Sequence, residues 1–261
     1  LISLELQNLD GLLWLLVLLA PFLLLQRRLH LEIQSVLLLI FRRSDISLAL
    51  FSLLFFPGVF LHEASHFLMA RLLGVHTGRF SLIPRPLEDG RLQLGYVETA
   101  KADLLRDALI GVAPLLSGGL FVAYAGIAHL GLPALWESIL SGGSRALPVA
   151  IQMLFERSDF WLWFYLIVAV SSTMMPSRSD RRAWLPVALA AVFLLLLGLL
   201  AGAGPWLAQH VALPLNTALR AVALVFAISL GVHCALILPF FLLARILERA
   251  TGFRVTLSIL L

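Results

Sequence analysis

Six long apolar runs set the terms for this chain: Gly11–Leu25, Ile46–Gly74, Leu109–Leu130, Phe160–Met175, Trp184–Ala203 and Ala218–Leu247. Most approach or exceed the ~20 residues that an α-helix needs to cross a hydrocarbon core. The first and fourth are short and depend on neighbours or interfacial flanks. Apolar residues make up 61% of the 261 positions and charged residues 13%, with a mean hydropathy of +0.98. So few charges cannot cover the surface of a water-soluble domain. The expected fold is an α-helical polytopic membrane protein with about six transmembrane helices.

The segments between the runs divide the chain further. Residues 1–45 read as an N-terminal transmembrane helix with an interfacial segment. The run Gly11–Leu25 lacks a basic region before it and a small-residue cleavage site after it, so it reads as an anchor rather than a signal peptide. Leu31–Phe41, between Arg27-Arg28 and Arg42-Arg43, reads as an interfacial helix or a strand. Residues 46–182 form the expected core and 183–261 two accessory helices. Arg79–Ile83 and Arg91–Thr99 alternate apolar and polar residues around the turn-forming PRPLEDG, which predicts a β-hairpin over 79–99. Cys234 is the single cysteine, so no internal disulfide is possible, and its apolar surroundings predict inert packing.

The net charge of +4 comes from arginines in short segments between apolar runs, with no basic tract interleaved with aromatics. That pattern belongs to membrane loops and argues against nucleic-acid binding. If Ile46–Gly74 runs inward, then Arg79, Arg85, Arg91, Lys101, Arg106, Arg181, Arg182, Arg245, Arg249 and Arg254 are cytoplasmic. Arg27, Arg28, Arg42 and Arg43 are then external if the first run crosses fully.

Within the second run the chain reads His62-Glu63-Ala64-Ser65-His66, an HExxH motif. Residues i and i+4 lie one turn apart on one helix face, so both imidazoles can reach one zinc ion at ~2.0–2.1 Å. Glu63 can then act as general base without being a ligand. The site falls about 12–18 Å from the Gly74 end of the helix. Pro57-Gly58 stands one turn earlier and can bend the helix. Set against this is a buried polar cluster or a proton relay. A catalytic zinc takes a third protein ligand. Asp180 is the leading candidate, presented by the turn at Pro176; its bland alternative is a helix cap before Arg181-Arg182. Glu98, Asp103 and Asp107 are weaker candidates. His76 reads as a loop residue, and His129, His210 and His233 read as packing or interfacial residues.

Residues 62–74 extend the motif to H-E-x-x-H-x-x-x-A-R-x-x-G, with Ala70, Arg71 and Gly74. In this the chain resembles the site-2 protease family of intramembrane zinc metalloproteases, over about residues 46–182. The resemblance implies zinc on His62 and His66, Glu63 as catalytic glutamate, and a β-rich segment after the helix. The family's G-P-x-x-N stretch compares with Ala113-Pro114-Leu115-Leu116-Ser117, which puts Ser117 where an Asn assists substrate or oxyanion. Its third-ligand pattern compares with Thr173–Asp180, which keeps the Pro and the Asp, lacks the Asn and the Gly, and is one residue shorter between them.

The expected activity is zinc-dependent cleavage of membrane-spanning segments of other proteins, with the active site nearer the cytoplasmic side. The expected partners are a transmembrane protein or peptide substrate and the lipid bilayer. An edge strand in Phe80–Thr99 can hold the unwound peptide by strand addition, with Gln93, Gly95 and Val97 as the candidate contact positions. Two other readings are a zinc-binding membrane protein without proteolysis, such as a chaperone-like relative or a transporter, and another HExxH protease whose third ligand is Glu137, Glu156 or Glu248.

Overall fold

A computed structural model describes residues 10–86 and 92–255. The protein is predominantly helical. Its helices are α1 (Asp10–Phe41), α2 (Ser44–Leu54), α3 (Phe56–Leu72), α4 (Leu104–Tyr124), α5 (Leu132–Phe155), α6 (Phe160–Thr173), α7 (Trp184–Leu200), α8 (Gly204–Leu207) and α9 (Leu213–Thr251). Two short antiparallel ladders lie between α3 and α4. In one, β1 (Thr77–Ser81) pairs with β4 (Tyr96–Thr99); in the other, β2 (Arg85–Pro86) pairs with β3 (Leu92–Gln93). The hairpin expected over 79–99 is therefore present and begins two residues earlier. Its tip, residues 87–91, lies outside the described residues.

All six apolar runs fall in helices, but fewer than six are long enough to count as spans. Asp10–Phe41, Leu104–His129 and Gly204–Thr251 are long and apolar enough to cross a membrane. The pair α2 and α3 is a fourth if taken as one span, bent by 66°. Helices α6 and α7, at 14 and 17 residues, are shorter.

The bend has a local cause. Pro57 has no N–H to give the Leu53 carbonyl, which weakens the helix at this point. Tyr165 of α6 donates its hydroxyl to the neighbouring Leu54 carbonyl at 3.0 Å. Immediately after the break, a Cβ on Gly58 would fall 2.2 Å from the Ala169 carbonyl oxygen and 2.3 Å from Thr173 Oγ1. The missing side chain lets α3 cross α6 in close contact. Helix α3 then stops at Gly74, whose φ of +70° suits glycine. There the Val75 N–H donates back to the Ala70 carbonyl at 2.8 Å.

Leu31–Phe41 is neither a strand nor a separate interfacial helix. It is the second half of α1, which runs unbroken to Phe41. Side-chain pairing along α9 explains why. Asp10 pairs with Arg220, Phe22 packs on Phe226 and His233, Glu32 pairs with Arg245, and Arg42 lies over the Phe253 ring. The two helices are therefore parallel, and Arg42 shares an end with Arg245, Arg249 and Arg254. Arg27 and Arg28 lie within α1 rather than at a helix end.

Helix α5 was not among the apolar runs. Its signal is helical spacing rather than a run: Leu132, Leu135, Trp136, Ile139 and Leu140 recur at intervals of three and four. Cys234 is exposed on α9 rather than packed. The buried core joins α1, α2, α4, α6 and α9 through Phe22, Phe51, Phe55, Val122, Ile167 and Phe226. Helix α3, with the HExxH motif, joins this core through Val59 and packs against α4 and α6.

Candidate metal centre

The motif occupies the middle of α3, where Glu63 and His66 are buried and His62 is nearly so. The two imidazole rings lie 4.9 Å apart, as one helical turn dictates. Each is held through Nδ1 by a main-chain carbonyl of another helix. His62 Nδ1 is 2.7 Å from the Thr173 oxygen at the end of α6. His66 Nδ1 is 2.9 Å from the Ile110 oxygen in α4. A carbonyl only accepts, so each Nδ1 carries the proton, and each Nε2 presents a lone pair.

Those two Nε2 atoms face Asp180. Asp180 Oδ1 is 3.4 Å from His66 Nε2 and Oδ2 is 3.9 Å from His62 Nε2. The ligand atoms of all three residues lie within 4.8 Å of one another. Two imidazole nitrogens and a carboxylate suit zinc, whose tetrahedral bonds of ~2.0–2.2 Å separate neighbouring ligand atoms by roughly 3.3 Å. The donor set suits a metal ion, and its ligand atoms, within 4.8 Å of one another, stand near that spacing.

The loop after α6 fixes Asp180. The Ser177 N–H donates to Asp180 Oδ2 at 2.7 Å, and Arg182 reaches Asp107 of α4 at 2.8 Å. Burial alone would raise the Asp180 carboxyl. When His66 carries a second proton on Nε2, its hydrogen bond and charge, with the Ser177 contacts, outweigh burial and hold the carboxyl down at about 2; a metal ion would take the place of that proton. The loop also approaches α4 closely. A Cβ on Gly111 would stand 2.0 Å from the Asp180 carbonyl oxygen.

Gly95 lies against Glu63. A Cβ there would fall 2.8 Å from Glu63 Cγ, 3.1 Å from Glu63 Oε1 and 3.1 Å from Val59 Cγ1. The β-segment thus closes over the glutamate through a residue with no side chain. Val97 belongs to β4, opposite Phe80 of β1, and Gln93 to β3, opposite Arg85. Ser117 donates its hydroxyl to the Pro114 carbonyl of its own helix at 3.3 Å.

No known protein family, curated protein or solved structure matches this chain. The site is therefore read from its own chemistry.

The other candidates take different places. Asp103 caps α4, accepting from the Leu105 and Arg106 N–H groups. Glu98 accepts from the Arg79 N–H, and Asp107 holds Arg182. His129 stacks on Trp163 and His210 on Trp206. His233 is buried against Ser172, 3.0 Å away. Glu156 accepts from Gln152, and Glu248 pairs with Arg245. Among the described residues, the convergent group comprises none of these and consists of His62, His66 and Asp180. Sequence reasoning missed the two carbonyl supports and Gly111. A carbonyl has no residue signature, and Gly111 becomes visible only once α4 and the Asp180 loop touch.

Proposed function

We propose that the protein is a multi-pass intramembrane zinc endopeptidase that cleaves membrane-spanning segments of other proteins. The observation that carries the reading is the convergence of the His62 and His66 Nε2 atoms on Asp180, beside the buried Glu63. A zinc ion there supplies a water of lowered pKa and a Lewis acid for the peptide carbonyl. Glu63 takes a proton from the attacking water and passes it to the departing amine. Gly95 brings the β-segment main chain against that carboxyl, and the β-segment supplies strand edges for an unwound peptide. Arg181-Arg182, next to Asp180 in sequence, support a cytoplasmic side for the site.

The test uses the purified full chain in detergent or bilayers with a panel of single-span substrates. Glu63→Gln is expected to retain bound zinc and to lose cleavage, and a chelator is expected to abolish cleavage in the unsubstituted chain. Retained cleavage in Glu63→Gln removes the base assignment. Bound zinc without cleavage of any substrate favours the non-proteolytic reading. That alternative has one supporting observation, since the Ser117 hydroxyl is engaged within α4.

A further inference from the structure

Helix α4 carries Pro114 in its interior. Proline has no backbone N–H, so the carbonyl four residues earlier loses its helical partner. That carbonyl belongs to Ile110, and it is the one that meets His66 Nδ1 at 2.9 Å. A buried carbonyl without a partner is costly, and the imidazole N–H provides the missing donor. The opposite side of the site follows the same logic. The Thr173 carbonyl would take the Ser177 N–H if α6 continued. The chain turns at Pro176 instead, and the Ser177 N–H goes to Asp180 Oδ2 at 2.7 Å. His62 then occupies the Thr173 carbonyl.

We propose that Pro114 is a positioning residue of the metal centre. By withholding an N–H from Ile110, it leaves that carbonyl to hold His66 with Nε2 turned to the metal. The inference rests on the reading of His62, His66 and Asp180 as metal ligands. It assigns Pro114 no contact with substrate.

Pro114 is fully buried, so Pro114→Ala removes packing as well as adding an N–H. The test separates the two. Pro114→Ala is compared with a chain whose alanine at 114 is replaced by its α-hydroxy acid. That ester keeps the methyl side chain and has no N–H. Zinc affinity is measured by competition with a chromophoric chelator on the full chain in detergent. Pro114→Ala is expected to bind zinc 10–100-fold more weakly, the usual effect of losing such a support. The ester form is expected to regain affinity close to the unsubstituted chain.

Equal affinity in the alanine and ester forms overturns the inference and leaves the metal centre standing. No zinc binding by the unsubstituted chain overturns both. A readout free of folding effects is the nitrogen NMR spectrum of the metal-free, unsubstituted chain. It should show His66 protonated at Nδ1, and protonation at Nε2 alone would overturn the proposal.

Discussion

Glu63 and Gly95 show how much a single residue decides in this site. The glutamate is 7% exposed, and the main chain of Gly95 occupies the space beside it. Gly95→Ala would place a methyl 2.8 Å from Glu63 Cγ, closer than carbon atoms tolerate. Strand or glutamate must move, and a displacement near 1 Å at a reacting group costs on the order of 100-fold in rate. The expected outcome is cleavage reduced by about that factor, with zinc content unchanged because no ligand is touched. Metal analysis beside a cleavage assay checks it; loss of zinc together with activity would mean that the glycine supports the whole site. The His62-Glu63-x-x-His66 pattern was legible in sequence because an i, i+4 pair needs only helix geometry. The role of Gly95 was not, since nothing local says what a glycine 32 residues on will face.

Helix α4 organises the site more than any other element that lacks a ligand. It supplies the carbonyl for His66, the close approach to the Asp180 loop at Gly111, and Asp107 for Arg182. Gly111→Ala sets a methyl 2.0 Å from a main-chain oxygen, which cannot swing away as a side chain does. Overpacking of this kind costs about 1–3 kcal/mol. The expected result is a lower Tm and weaker zinc binding. Gly119, on the same helix, is a control: a Cβ there would make only ordinary contact with Val225, at 3.8 Å. Gly119→Ala is expected to be neutral or to stabilise by up to ~1 kcal/mol through helix propensity. Equal effects of the two substitutions on zinc affinity would remove Gly111 from the account. The bend between α2 and α3 was legible in Pro57-Gly58. The continuity of α1 was not, because Arg27-Arg28 and Arg42-Arg43 resemble the ends of a segment until Glu32 and Arg245 provide their setting.

At the scale of the whole molecule, the candidate metal site and the α1–α9 pair tie distant parts of the chain together. The candidate ligands come from α3 and from the loop after α6, more than 100 residues apart. Zinc should therefore stabilise the fold by mass action, by about 4.1 kcal/mol at a thousandfold excess over Kd. The expected observation is a Tm that rises with zinc and falls with chelator in the unsubstituted chain but not in Asp180→Ala. A second tie closes the beginnings of α1 and α9. The buried Asn216 accepts from the Gly11 N–H at 2.8 Å and donates to Asp10 at 2.8 Å. Asn216→Ala leaves the Gly11 N–H without its partner, at a cost of about 1–3 kcal/mol. Thermal unfolding in detergent should show the loss, with zinc affinity unchanged because neither bond touches His62, His66 or Asp180.

The sequence by itself determined the helical, apolar character of the chain, the hairpin after α3, and the pairing of two histidines with a glutamate on one turn. Each depends on neighbours a few residues apart, through composition, period-two alternation or the 3.6-residue turn. Only the tertiary structure decided that Asp180 meets those histidines, that two main-chain carbonyls orient them, and that α1 runs parallel to α9. These are contacts between segments far apart in the chain. Close packing of side chains and main chain selects them, and no local pattern records it.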